Sequence, residues 1–312
     1  MFNLPRNRGN TCFLDSVLVA LFYTKVPYLD SALALDVDHK PTKAFSGPWK
    51  ATPPTAEQDF RMKEQFKEVL QQVCFAMQRP QYKFLDDLLT ELDYVVKVYQ
   101  PLPLGEVQHN GTNQFKMNSA VDFAGFVMCE ILNLEKEGMR LTMEETFAYH
   151  GYIFRRNIRH QAPFLRLQPG DRTRCVSELL EPDIPVEVKL TSLEQQMCRV
   201  KRNQKRVLQS RSLTDASFLV VGIDRLMYHD GKTYLNKQYV LPDAVLTIGD
   251  HNLFLYSVVV YVKQHYVTYV CHDDVWFRYD DLKKDLESIG DYVDMAGCRE
   301  VCHGMTLCCY QQ

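Results

Sequence analysis

The chain has 312 residues, 46% hydrophobic and 24% charged, with 36 Lys and Arg against 39 Asp and Glu for a formal charge of −3. This balance argues against general nucleic-acid binding, which needs a strongly basic surface, and the ordinary apolar content excludes a disordered chain. No run of about 18 apolar residues occurs, so no membrane-spanning helix is expected.

Near the start, Arg6 and Arg8 precede an apolar stretch, with Ala32-Leu33-Ala34 beyond it, a loose imitation of a secretory signal. Asp15 within the stretch and Lys25 and Asp30 after it argue against one, and a cytoplasmic chain with free thiols is expected. Phe13, Leu14, Val17, Leu18, Leu21 and Phe22 recur at helical spacing along one face. Thr55 suits the cap of a second helix with the face Phe66, Val69, Leu70 and Val73, ended by Pro80. Leu85, Leu88, Leu89 and Leu92 mark a third helix, and Phe123, Phe126, Val127 and Ile131 a fourth. Residues 101–118 between them, rich in Pro, Gly and Asn, read as loop.

From about residue 145 onward strands dominate. Val186, Val188 and Leu190 alternate with charged neighbours, and 218–223, 238–241, 245–248, 253–262, 265–270 and 307–310 read as strands, with a turn at 229–232. Thr191-Ser192-Leu193-Glu194 resembles a capping box that opens a helix carrying the basic run 199–206 on a solvated face. The expected fold class is α+β, helical first and mostly antiparallel afterwards. Ten cysteines mostly stand alone in apolar surroundings, as buried small hydrophobes do. The tail group Cys298, Cys302, His303, Cys308 and Cys309 imitates a zinc site only superficially, and no metal or cofactor is expected.

Two segments carry chemistry. In Asn7-Arg8-Gly9-Asn10-Thr11-Cys12-Phe13 a polar turn delivers a cysteine to the first turn of an apolar helix. Exposed N–H groups and the helix dipole there favour a thiolate and can hold an oxyanion. The same pattern also suits a buried cysteine with no chemical role. In the second, His265 opens one strand, and Asp280 and Asp281 close the next across a turn. A hairpin brings such positions together, so a carboxylate can orient the imidazole. A lone structural histidine is the plainer reading. A cysteine followed far downstream by His and Asp is a pattern of thiol hydrolases.

Asn-x-Gly-Asn-Thr-Cys-Phe at 7–13, His-Tyr-Val-x-Tyr-Val at 265–270 and Trp-x-x-Tyr-Asp-Asp at 276–281 resemble the ubiquitin-specific protease family of deubiquitinases. Asp122-x-x-x-Phe126, the capping box at 191–194, the apolar strand from 218 with Arg225, and Lys237-x-x-Val240-x-Pro242 extend the resemblance over nearly the whole chain. It implies one catalytic domain over 1–312, a papain-like cysteine protease with a helical thumb to about 140 and β-rich fingers and palm beyond. It implies Cys12 as nucleophile, His265 as general base, Asp280 as orienting acid with Asp281 as the fallback, and Asn7 as an oxyanion donor. Asp122 is the candidate acid for the cationic tail of ubiquitin. The implied partners are ubiquitin or polyubiquitin and ubiquitinated proteins, with no nucleic acid or membrane. A protease for another ubiquitin-like modifier, or a non-catalytic ubiquitin-binding pseudo-protease, are the alternatives. Asp15 where most members carry Asn, Tyr28-Leu29-Asp30-Ser31, Gln264 before His265 and the ending 307–311 resemble the cylindromatosis-type branch, which implies a preference for linear and other extended chains. Gly125 stands where the family has Glu, the segment before His265 is short, and Cys175 is the only cysteine in the expected finger region 146–190, so zinc is not expected there.

Overall fold

The computed structural model describes residues 3–34, 55–79, 82–99, 119–132, 141–149, 152–160, 162–169, 174–180, 186–189, 205–229, 232–283 and 285–312. Helix α1 (Cys12–Phe22) is buried on every side, including Asp15 and Ser16. It is therefore the central helix of the core rather than one with a single apolar face. A short helix unread in the sequence, α2 (Pro27–Ala34), follows and buries Leu29, Ala32 and Leu33. The expected second helix is α3 (Ala56–Met77). Thr55 and Gln58 form its reciprocal capping box, with bonds of 3.2 and 2.9 Å. Helices α4 (Leu85–Tyr99) and α5 (Ala120–Phe126) match the third and fourth expected, and Ser119 caps α5. A π-helical turn, Val127–Ile131, continues α5. The expected loop 101–118 lies outside the described residues.

The second part contains strands β1 (Leu141–Tyr149), β2 (Tyr152–His160) and β3 (Phe164–Leu167), the short helix α6 (Val176–Leu180), and strands β4 (Val186–Lys189), β5 (Lys205–Asp215), β6 (Phe218–Ile223), β7 (Leu226–His229) and β8 (Lys232–Leu235). It ends with β9 (Val245–Ile248), β10 (His251–Val262), β11 (His265–His272), β12 (Val275–Tyr279), β13 (Glu287–Gly290), α7 (Tyr292–Gly297), α8 (Arg299–Gly304) and β14 (Met305–Gln311). One sheet has the order β2-β1-β5-β4; a second has the order β13-β12-β11-β10-β14-β6-β3, with β9 on β10; β7 and β8 form a hairpin. Pairing between these strands is antiparallel except for β3 with β6. The α+β expectation holds.

Two local expectations do not. Residues 238–241 form no strand beyond a bridge from Leu241 to Cys175, because their backbone groups are committed elsewhere. The Val240 N–H donates to the Cys302 carbonyl at 2.9 Å, the Leu241 N–H to Arg174 at 2.7 Å, and the Gln238 carbonyl accepts from Arg225 at 2.7 Å. The helix expected from 191 falls outside the described residues, but Lys205 and Arg206 at the end of the basic run open β5, in register with Lys189 and Val188. Sheet pairing overrides local propensity there. The first sheet is built from strands between 141 and 215.

The large sheet separates two cores. On one face Val259, Val270, Leu307 and Cys309 meet the helices through Phe13, Phe66, Phe123 and Phe126. On the other, Val258, Val260, Trp276, Cys308 and Tyr310 pack with Met295 and Val301 of α7 and α8. Cys308 and Cys309, adjacent on β14, therefore point to opposite faces, which prevents both from ligating one tetrahedral metal. Two sheet hydroxyls fix α1 in place, Ser257 donating to the Ala20 carbonyl at 2.7 Å and Thr268 to that of Ser16 at 2.9 Å. Among the described residues no single helix is long and apolar enough to cross a membrane.

Candidate active site

Cys12 is the first residue of α1, reached through Gly9 at φ 107° and Asn10 at φ 57°. These positive angles turn the incoming chain into the helix, and glycine takes such angles without a Cβ clash. His265 is the first residue of β11. The turn before it is two residues long, Lys263 at φ 49° and Gln264 at φ 65°, so Val262 and His265 are paired. The segment before His265 is thus as short as expected. Non-glycine residues at both turn positions carry strain. The start of α1 meets the start of β11: the N–H of Tyr266, the residue after His265, lies within hydrogen-bond reach of the Cys12 sulfur.

The His265 Nε2 faces Asp280 Oδ1 at 2.9 Å and Asp281 Oδ1 at 3.3 Å. Asp280 is the nearer partner. Burial pushes the Asp280 carboxyl up, but the bond to His265, the Leu282 N–H and Arg278 outweigh it and hold the group below its ordinary range. Arg278 donates to Asp280 Oδ2 at 3.1 Å and to Glu300 of α8 at 3.0 Å, so α8 braces the carboxylate from behind. Nothing in the sequence spacing revealed this brace.

Asn7 reaches the same cluster. Its amide nitrogen donates to Asp281 Oδ2 at 2.8 Å, its oxygen accepts from the Gly9 N–H at 2.9 Å, and its backbone N–H donates to the Asp281 carbonyl at 3.1 Å. Tyr279 donates to the Pro5 carbonyl at 2.8 Å and holds the approaching segment against the end of β12. Asn7→Ala is expected to lower the hydrolytic rate by about 10²–10³ if its amide is an oxyanion donor; full rate on a slow chain substrate would show that backbone N–H groups suffice.

The Cys12 thiol departs from expectation. Burial pushes it up to about 11; the Asp281 and Asp15 charges add to this, and the N–H groups of Tyr266 and Phe13 oppose it without prevailing. The helix-start argument neglected that Cys12 is only 2% exposed, and desolvation penalises a thiolate more than a few N–H groups favour it. Alkylation of Cys12 by iodoacetamide, mapped by peptide mass, is therefore expected to rise about tenfold per pH unit from pH 7 to 9. A plateau reached by pH 7 would show a preformed thiolate.

Asp122 sits in the first turn of α5, and its carboxylate is engaged by Arg166, which also reaches Asp224 at 3.0 Å. At Gly125 an added Cβ would lie 3.2 Å from the Phe164 ring, so Phe164 occupies the space that a Glu would need. His265, Asp280 and Asp281 are the one group among the described residues whose His and acidic atoms converge as metal ligands could. The Arg278 guanidinium already neutralises Asp280, and the arrangement is that of an imidazole oriented by carboxylates.

No protein-family model and no curated protein matches the sequence. Solved structures are similar over 100% of this chain. The SAGA Ubp8/Sgf11/Sus1/Sgf73 DUB module bound to ubiquitin aldehyde gives a TM-score of 0.63 at 14% identity, covering 69% of that chain. A cysteine-to-alanine form of the same module bound to monoubiquitin gives 0.61 at 13% identity, also over 69%. The Ubp8-Sgf11-Sgf73-Sus1 module gives 0.61 at 14% identity over 67%. The chain thus has the α+β fold of the ubiquitin-specific protease type.

Proposed function

We propose that this chain is a cysteine-type deubiquitinase, a thiol-dependent hydrolase of the bond after the C-terminal Gly of ubiquitin, on protein lysines or within chains. The observation that carries this reading is the His265–Asp280 pair at 2.9 Å, beside a cysteine at the start of a buried helix. Cys12 attacks the carbonyl carbon, and His265 takes the thiol proton on the ring nitrogen that does not face Asp280. The raised thiol makes this a general-base step at the moment of attack. Asn7 and the Phe13 N–H hold the oxyanion, His265 returns the proton to the leaving amine, and water then cleaves the thioester through the same base. Ubiquitin, polyubiquitin and ubiquitinated proteins are the partners, the cytoplasm is the proposed setting, and no cofactor is needed. Release of a dye from the C-terminus of ubiquitin tests the reading: turnover sensitive to thiol alkylation supports it, and binding without turnover would mark a pseudo-protease.

The branch features around Asp15 and Gln264 support a preference for linear and other extended chains. The two-residue turn before His265 leaves that flank of the site without a long loop, as a second binding surface for the proximal ubiquitin requires. Linear and other extended chains are therefore expected to be cut faster than compact ones in a panel of di-ubiquitins. Equal rates on all linkages, with efficient dye release, would remove the proximal site from this reading.

A further inference from the structure

Beneath Cys12 and His265 lies a buried acidic network that the hydrolytic steps do not use. Asp15, one turn into α1, is wholly buried. Its Oδ1 accepts from Arg8 at 2.9 Å and its Oδ2 from the Thr11 hydroxyl at 2.6 Å. Thr11 therefore spends its hydroxyl on Asp15 and leaves the start of α1 without a side-chain cap. Arg8 is shared: it also binds Asp93 through two bonds, at 2.8 and 3.0 Å. On the other side stands Asp281, its side chain also fully buried. Asn7 satisfies Asp281 Oδ2, but Asp281 Oδ1 is buried with no hydrogen-bond donor. His265 Nε2, at 3.3 Å, makes its bond to Asp280 instead. Asp15 lies within hydrogen-bond reach of Asp281.

Asp15 and Asp93 thus share a single guanidinium, and Asp281 faces Asp15 as a third buried carboxylate. An orphaned acceptor facing another acid is costly when both are ionised, and one proton between them turns repulsion into a strong O–H···O bond. We propose that Asp15 is a positioning residue that shares one proton with Asp281, so that the pair carries a single negative charge and anchors the Asn7–Asp281 arm beneath Cys12. Asp15 thereby limits the negative charge facing the nucleophile.

The titration behaviour agrees. Burial pushes Asp15 up to about 7 against the opposing effects of Arg8 and Thr11, with Asp281 and Asp93 adding to the rise. Burial also raises Asp281, against Asn7 and His265. The other groups facing the pair are Asp280, the Cys12 thiol, and the buried Tyr279 phenol, which feels both acids. Because the native pair holds its proton to higher pH than free carboxyls do, its contribution to stability is present in acid and is lost as pH rises through about 7. The second charge then released beneath Cys12 further disfavours the thiolate.

The inference rests on the proposed thiol chemistry only in its activity readout; the other two readouts need no ubiquitin. Asp15→Asn keeps a neutral donor at every pH, and Asp15→Ala removes it. Wild-type protein is expected to lose thermal stability from pH 5 to 7.5, and Asp15→Asn to lose clearly less. Cys12 in Asp15→Asn is expected to alkylate about threefold or more faster at pH 8.5, as loss of one nearby charge implies. With ubiquitin–dye substrate, Asp15→Ala is expected to lower kcat about tenfold at unchanged KM, and Asp15→Asn to restore it. Should Asp15→Asn not fold, Asp281→Asn removes the same charge from the other side and is read for stability against pH. Identical pH dependence of melting and of Cys12 alkylation in wild type and variant overturns the proposal. Failure of ubiquitin turnover with the other two differences intact overturns the hydrolase reading alone.

Discussion

Cys12→Ala is expected to abolish release of dye from the C-terminus of ubiquitin. Of the other described cysteines, Cys74, Cys302, Cys308 and Cys309 are buried, and Cys302 donates to the Ala296 carbonyl at 3.1 Å. Loss of an attacking group that acts as a unit with its base removes covalent catalysis rather than weakening it. The folding cost is small but real. At 2% exposure, removing the sulfur leaves a small void, about 1 kcal/mol by the usual scale of single substitutions. The variant should therefore still bind ubiquitin, and a titration of labelled ubiquitin checks that the loss lies in chemistry. Substantial turnover by Cys12→Ala would remove the nucleophile assignment.

The second large effect is expected at His265. Its ring is held by Asp280 at 2.9 Å and by its place at the start of β11, where the tight turn leaves the backbone no slack. His265→Ala is expected to lower kcat by about 10⁴ or more, following nucleophile–base units in general, with little change in ubiquitin affinity. The neighbouring acids should separate in the same assay. Asp280→Asn disturbs the orientation of the ring directly, whereas Asp281→Asn acts through Asn7 and Asp15. A kcat loss larger in Asp281→Asn than in Asp280→Asn would exchange their roles.

Much of this site was legible because chemistry repeats in short local patterns. Gly9 within a polar segment announced a turn, Cys12 the helix start, and His265 with Asp280 a strand start facing a strand end. Those are local backbone facts, and the structure brings the three segments together. What the sequence concealed depends on contacts between distant residues. Arg8 meets Asp93 across 85 positions, Glu300 braces Arg278, and Arg166 covers Asp122, none of which any spacing rule encodes. Burial was the other blind spot. The helix-start argument for Cys12 weighed N–H groups but not the desolvation that outweighs them, and it could not see that Asp15 turns inward. In the fold, strands with clean alternation or fully apolar runs, such as β6 and β9, were read to their ends. The segment 238–241 looked like a strand only because its hydrogen bonds to Cys302, Arg174 and Arg225 were invisible.

The central claim is that Cys12 is a nucleophile presented to the C-terminus of ubiquitin. Ubiquitin bearing a thiol-reactive group in place of its last Gly, mixed with the full chain and followed by peptide mass mapping, tests it most directly. A single adduct on Cys12, absent from Cys12→Ala and slowed strongly in His265→Ala, is the expected result. No adduct, or one on a different cysteine at a comparable rate, would contradict it.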